Sequence, residues 1–345
     1  MKRQDLSASR RKLEELRCVL DKAPRVWILT HDGPDPDTIA GALALHEVLT
    51  RRFDMESGIL YGGIIGRADN QAMVDLLDIP LSNIKNVAVG ARDHFVCIDT
   101  QPSFSNNSLP KGAILAGMID HHPLATEDGA PFADVRQGYG AVSTILAEYA
   151  FAARIEVTQQ LATAVAYGII SETEDLGREC SSADLNVYME MLPRVDHILL
   201  GRIRHPRLDR SFFRTLAAAM QNARVFKDVV VCHLGVVNTR DEVAQVADVL
   251  SALDGSRWVM CTGREKDGLT LSLRTSDPSA SADRVLAQVL GEGGRSGGHG
   301  MTAGGQILLT STDDHDDICR RLTGSFLAAV GHGRDARLSP LLGRP

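Results

Sequence analysis

Residues 25–45 read RVWILTHDGPDPDTIAGALAL, and the interpretation of this stretch decides the fold. An apolar run ends at Thr30, a polar turn carrying His31, Asp32, Asp35 and Asp37 follows directly, and a helical pattern rich in small and apolar residues begins at once. Strand, short loop and helix in immediate succession make the repeating unit of a parallel sheet. The loop is the unusual part. Carboxylates packed this closely repel one another, so they form either a solvated acidic turn and helix cap or a cluster held together by a cation.

Moving outward, the first half of the chain alternates β-rich runs with helical patterns: HFVCIDT, AILAGMID, then AVSTILAEYAFAARI and LATAVAYGII. This predicts an α/β protein with a mainly parallel sheet covered on both faces. Sites in such sheets collect at the carboxyl ends of strands. Three polar clusters fall there, since His31 follows RVWILT, Asp99 ends HFVCID and Asp120 ends AILAGMID. From about Ser181 to Asn222 the pattern is helical, and strands return as VVVCHLGVV, RWVMCTG and LTLSLRT. The expected organisation is an N-terminal helix over 1–24, a first α/β domain over 25–185 and a helical connector over 186–225. A smaller α/β domain over 226–330 and a flexible tail over 331–345 complete it.

Composition sets the outer limits. The 345 residues are 44% hydrophobic and 23% charged, as in globular proteins, and exceed the size of most single cores. No apolar run approaches the roughly 20 residues that span a bilayer, and MKRQDLSASRRKLEELRCVL lacks the apolar core of a secretory signal. A cytoplasmic location without membrane attachment is therefore expected. The six cysteines have no close spacing, which fits reduced buried thiols better than disulfides or a zinc site. A net charge of -7 argues against duplex DNA as a partner but not against a small anion drawn by bound metal.

HDGPDPD, CIDT and IDHHP would meet in one cleft, because strand ends of one sheet lie side by side. His31, Asp35, Asp37, Asp99, Asp120, His121 and His122 then surround one volume, and so many carboxylates call for one or two divalent ions. Mixed imidazole and carboxylate without thiolate suits Mn²⁺, Fe²⁺ or Co²⁺, whereas Mg²⁺ prefers oxygen. Paired ions activate water for phosphoryl chemistry, so a dimetal phosphohydrolase is the expected activity.

These motifs, taken in order with YGIISETEDLG, resemble the four motifs of the DHH phosphoesterase superfamily, and GGRSGGHGMTAGG at 293–305 resembles the glycine-rich signature of its DHHA1 accessory domain. The resemblance implies that His31 and Asp35 hold one Mn²⁺, that Asp37 and His121 hold the other, and that Asp99 bridges both while serving catalysis. Where the family pattern reads TDT this chain reads SET, so Glu172 stands at the place of a ligand aspartate, with Asp175 one turn on as a substitute. Asp120 and His122 are expected to act beside the metals, the first orienting the His121 ring and the second meeting a phosphate oxygen. Asp32 is expected to be a polar turn residue, and Gly41 and Ala42 to serve close helix packing. GRADNQAM at 66–73 is expected to open a helix that either caps itself or faces an anion.

In the second domain the resemblance implies substrate contacts from Gly297, Gly298, His299, Ala303 and Gly304, with Arg274 as a cationic partner for phosphate. The compact layout is similar to the NrnA-like enzymes, which implies short oligonucleotides or 3'-phosphoadenosine 5'-phosphate as substrates. A cyclic dinucleotide or its linear product is the alternative. A nucleotide sensor without turnover is the rival from another class, motivated by Glu172. A homodimer is compatible with the sequence.

Overall fold

The computed structural model describes residues 6–125, 129–265, 268–291, 294–309 and 314–343, which form two compact units divided between Pro206 and Arg207. The first begins with helix α1 (Ser7–Leu20), whose Leu13, Leu16 and Leu20 are buried at helical spacing. Then come β1 (Val26–Thr30), α2 (Pro36–Phe53), β2 (Ser57–Tyr61), α3 (Ala68–Leu76), β3 (Leu81–Asn83), β4 (His94–Ile98), β5 (Ile114–Asp120) and β6 (Phe132–Val135). Helices α4 (Val142–Ala153), α5 (Gln159–Glu172), α6 (Ser182–Met191) and α7 (His197–Arg204) complete it.

All six strands are parallel, in the order β3-β2-β1-β4-β5-β6. Every residue of β1 is buried, as expected of a central strand with both faces covered. The two faces are covered differently. Helices α1 to α5 contribute to one large core, whereas Trp27, Leu29, Leu60, Phe95, Cys97 and Met118 face a smaller cluster closed by residues such as Ile84 and Leu109. The reason lies in the crossovers: the chain from β4 to β5 and the described chain from β5 to β6 contain no helix. On the helical face, a Cβ at Gly41 would lie 3.1 Å from Leu146 and 3.2 Å from Val142, so the missing side chain lets α2 lie close against α4.

The chain leaves β1 toward β2 on one side and β4 toward β5 on the other. Adjacent strands whose connections diverge leave a crevice at their carboxyl ends. His31 follows β1, Asp99 follows β4, and Asp120 closes β5.

The second unit contains α8 (Arg210–Asn222), β7 (Arg224–Phe226), β8 (Val229–Val236), α9 (Arg240–Ser251), β9 (Trp258–Glu265), β10 (Gly268–Thr275), α10 (Ala282–Leu290), β11 (Gly294–His299), β12 (Thr302–Leu308), α11 (His315–Ala329) and β13 (Ser339–Pro340). Its sheet runs β11-β12-β10-β9-β8-β7-β13, with β8 and β9 parallel and every other pair antiparallel. Alternation along the strands separates two cores. Val229, Val231, Trp258 and Met260 pack with α10 and α11, while Val230, Cys232, Val259 and Cys261 pack with the α8 and α9 side.

Two expectations about organisation change. The stretch 186–225 is not a free-standing connector, because Val187, Met191, Leu200 and Ile203 join the first core while Ala219 joins the second unit's. The stretch expected to be a flexible tail returns to the sheet: Ser339 pairs with Val225 and Pro340 with Arg224, and Leu341 packs beside that edge. Among the described residues no helix is long and apolar enough to cross a membrane. All six cysteines are free, but Cys18 is exposed, contrary to the expectation of uniformly buried thiols.

Candidate metal centre

Local chemistry builds the first loop. Asp35 caps α2, its carboxylate accepting the Thr38 N–H at 3.0 Å, and Pro36 sits at the first helical position, where no amide donor is needed. The same carboxylate lies 3.5 Å from His31 Nε2. Helix cap and site residue are therefore one side chain.

Asp99 stands at the centre. It is 5% exposed and its φ of 57° is left-handed, a conformation aspartate tolerates better than most residues. Thr38 donates its hydroxyl to Asp99 Oδ2. The other oxygen, Oδ1, lies 3.4 Å from His121 Nε2 and 3.3 Å from His122 Nδ1, yet it is buried without a hydrogen bond. His31 Nε2 approaches Oδ2 at 3.8 Å.

Two sets of ligand-type atoms result, His31 with Asp35 and Asp99, and Asp99 with His121 and His122, each set within 4.8 Å of one another. Asp99 belongs to both. A buried carboxylate oxygen without a donor, ringed by imidazoles, fits a divalent cation.

The electrostatics agree. Burial works against protonating the imidazoles, but Asp35 and Asp99 outweigh it at His31 and raise that ring to about 9. Asp99 does the same for His121, to about 10, and Asp120 with Asp99 raises His122 to about 11. Burial alone would push Asp99 up, and the two histidines instead hold it well below the usual carboxylate range. Without an ion, protons supply the positive charge that this cluster requires.

The remaining expected ligands sit apart from these sets. Asp37 is fully buried, and its two carboxylate oxygens accept the Val142 and Ser143 N–H groups at 2.7 and 2.9 Å, so it caps α4 across the domain. Burial and the adjacent Asp99 charge raise it well above the ordinary range. Glu172, the last residue of α5, adds to the same field, but its carboxylate lies 3.4 Å from Arg178. Asp175 is not one helical turn further along: α5 ends at Glu172, residues 174–176 have positive φ, and Asp175 is an exposed partner of Arg204 at 2.8 Å.

Asp120 is completely buried, and its oxygens accept the His121 and His122 N–H groups, the His122 ring at 2.8 Å and the Gln101 amide at 2.8 Å. It therefore orients His122, whereas the His121 ring, expected to lean on Asp120, is held by the Tyr139 carbonyl at 3.1 Å. Asp32, expected to be only polar, clasps a second loop by accepting from Ser108 Oγ at 2.7 Å. Helix α3 does follow GR, with Asn70 bonded to the Pro34 carbonyl and Arg67 paired with Asp69.

In the second unit, the glycine-rich stretch is a hairpin rather than an open loop. Gly297 pairs with Gly304 and Gly298 with Ala303. Gly298 has φ 143°, and a Cβ there would come within 2.4 Å of the Thr302 carbonyl, so only glycine fits. The side chain of His299 lies outside the described residues. Arg274 is engaged internally, with Asp248 at 2.6 Å and Ser272 Oγ at 2.8 Å.

Sequence reasoning missed Gln101, Thr38 and Arg178. Gln101 is fully buried, donates to both Asp120 and the Pro123 carbonyl, and accepts from the Ala125 N–H. Its position directly after CIDT was the one available signal.

A parallel α/β sheet with imidazole and carboxylate groups gathered at its switch point is the arrangement to be compared with known proteins. Residues 25–169 match the family model "DHH family, N-terminal domain". An uncharacterized protein of Methanocaldococcus jannaschii is 35% identical over 290 residues, which cover 84% of this chain and 59% of that protein. The chain thus spans less than two thirds of this relative's length.

Among solved structures, an exopolyphosphatase-related protein from Bacteroides fragilis shares the fold, with a TM-score of 0.74 at 14% identity over 92% of this chain and 96% of that one. A putative family II inorganic pyrophosphatase of Methanococcus jannaschii has a TM-score of 0.44 at 15% identity, covering 86% of this chain and 99% of that one.

Proposed function

We propose that the protein is a divalent-metal-dependent phosphoesterase acting on short oligonucleotides or small phosphorylated nucleotides. The observation that carries this reading is the Asp99 carboxylate, shared by two ligand sets and holding one buried oxygen without a hydrogen bond. His31, Asp35 and Asp99 would hold one ion, and Asp99 with His121 the other, Asp37 and Glu172 supplying negative charge nearby. Mn²⁺ is the preferred candidate on the mixed donor set, with Mg²⁺, Co²⁺ and Fe²⁺ as alternatives. Such ions, when bound, lower the pKa of a coordinated water and neutralise charge on phosphoryl oxygens.

The chain's own residues then have distinct tasks. Tyr139 holds His121 by Nδ1, which turns Nε2 toward Asp99. Asp120 holds His122 by Nδ1 and fixes the direction of its ring, which would meet a phosphoryl oxygen. Gln101 fixes Asp120 and the following loop together. The second unit, read as a DHHA1 domain, would contribute nucleotide binding through the hairpin around Gly297, Gly298, His299, Ala303 and Gly304. With Asp248 on its guanidinium, Arg274 serves phosphate only if that pair opens.

The sensor reading keeps one supporting observation, the Arg178 guanidinium beside Glu172, which neutralises the ligand that departs from the family pattern. A single experiment separates the two. Purified protein, Asp99→Asn and Glu172→Asp are incubated with Mn²⁺ and 5'-phosphorylated dinucleotides, longer oligomers, phosphoadenosine phosphate and cyclic dinucleotides, and the products are separated by chromatography. Turnover of short substrates by the parent, abolished in Asp99→Asn and reduced in Glu172→Asp, is the expected result. Nucleotide binding without turnover, with activity appearing in Glu172→Asp, would instead establish a sensor.

A further inference from the structure

Helices α2 and α4 both start at the metal cluster, where Asp37 bonds the first amides of α4, and both end at a second cavity in the same unit. This cavity, of about 630 Å³, lies between Arg10, Arg51, Arg52, Phe53, Arg154 and Glu156 among others. Helix α2 has 18 residues, so the two ends stand about 27 Å apart. A molecule of nucleotide size cannot occupy both.

The four arginines come from three helices: Arg10 from α1, Arg51 and Arg52 from the last turn of α2, and Arg154 from the left-handed cap of α4. Arg51 is committed to Glu47 and to the Glu156 carbonyl. Among the described residues, the guanidinium groups of Arg10, Arg52 and Arg154 form no hydrogen bond or ion pair. Glu14, in the same wall, is paired with Arg17.

Arginines at helix carboxyl ends complement the helix dipole, which is an ordinary account of Arg51, Arg52 and Arg154. It does not account for Arg10, which lies near the amino end of α1, where the dipole disfavours a cation. Nor does it account for a concave volume in the range of small-ligand sites. Three guanidinium groups without a hydrogen bond or ion pair around such a volume, in a chain of net charge -7, suit phosphate recognition, because the planar guanidinium fork binds phosphate bidentately.

We propose that this cavity is a binding site for a nucleoside polyphosphate, separate from the metal centre. The phosphates would lie on Arg10, Arg52 and Arg154. Half-buried Phe53 offers an apolar wall to the base, and the Glu156 carboxylate an acceptor for ribose or amino groups. Because α2 and α4 are joined through Asp37 at their other ends, occupancy here would bear on the metal centre. That coupling rests on the phosphoesterase reading, whereas the binding itself does not.

The test is calorimetric titration of the full chain with adenosine diphosphate and, separately, inorganic pyrophosphate, in EDTA so that no divalent ion bridges the anion to the metal cluster. The expected result is one site for each. The triple variant Arg10→Ala, Arg52→Ala and Arg154→Ala should weaken both by about 100-fold. A triple variant of exposed arginines elsewhere, Arg202→Ala, Arg214→Ala and Arg321→Ala, should change binding less than about threefold. Phe53→Leu should weaken the nucleotide and leave pyrophosphate unchanged.

If the alanine triple does not fold, lysine at the same three positions keeps the charge and loses the fork, with about tenfold weakening expected. No binding by the parent overturns the proposal, as does equal weakening by the control triple. Loss of binding in Asp99→Ala with retention in the arginine triple would place the anion at the metal cluster instead. Pyrophosphate binding without nucleotide binding would refute the nucleotide assignment. Since every arm is read by binding, a protein that proves to have no phosphoesterase activity would still bind the nucleotide at these arginines.

Discussion

Asp99 shows how one residue gathers a site. Its left-handed backbone stores about 1–3 kcal/mol of strain and is held by the groups that meet its carboxylate, Thr38, His121 and His122. Thr38 is the most specific of these. Thr38→Val preserves shape and removes the donor to Oδ2, and Mn²⁺ affinity should fall by about 10- to 100-fold, as for other groups that orient ligands. A Mn²⁺ titration of the variant checks this, and an unchanged affinity would mean that Asp99 is oriented without it. Asp99, His121 and His31 were legible because acidic and imidazole residues stood at predicted strand ends. Thr38 and Gln101 were not, because an uncharged polar residue gains a role only through its partner, here 61 and 19 positions away.

At the scale of elements, capping and packing decide what side chains can do. Asp37 sits in the first turn of α2 but completes the start of α4, a tie across 105 positions that no local pattern announces. In the second unit, His233 joins β8 to β9 through Thr262 at 2.7 Å and to α11 through Thr323 at 2.9 Å. Burial, reinforced by the neighbouring His315, lowers its pKa from 6.5 to about 4 despite Asp316. The unfolded chain then binds the proton more readily below pH 6.5, so the stabilisation from neutral His233 is complete above that pH and is lost as pH falls toward 4. At pH 5 the loss is about 2 kcal/mol. Melting of the second unit between pH 7 and 5 should show it, and His233→Gln should flatten that dependence. The hairpin of β11 and β12 makes a steric test: Gly298→Ala sets a Cβ against the Thr302 carbonyl and should destabilise the second unit by more than about 1 kcal/mol. An unaltered melting midpoint would mean that the hairpin shifts at little cost.

For the whole molecule, two compact units imply two melting transitions, and only the unit holding the cluster should respond to metal. Mn²⁺ at about 100 times its dissociation constant should stabilise the first unit's transition by about 2.7 kcal/mol and leave the second in place. Calorimetry with and without the ion, repeated on Asp99→Asn, decides it. The amino-acid sequence by itself determined the alternation of strand and helix, the parallel first sheet and the three polar clusters at its strand ends. These follow from periodicity and from the fact that parallel strands present their carboxyl ends together. Tertiary structure alone decided that Asp120 serves His122, that Asp175 turns to Arg204, that Arg274 is held by Asp248, and that residues 339–340 close the edge of the second sheet. The physical reason is the range of the forces involved. Hydrophobic period and strand order are written in neighbours a few positions apart, whereas a side chain's partner is whichever group the completed fold brings within about 3 Å.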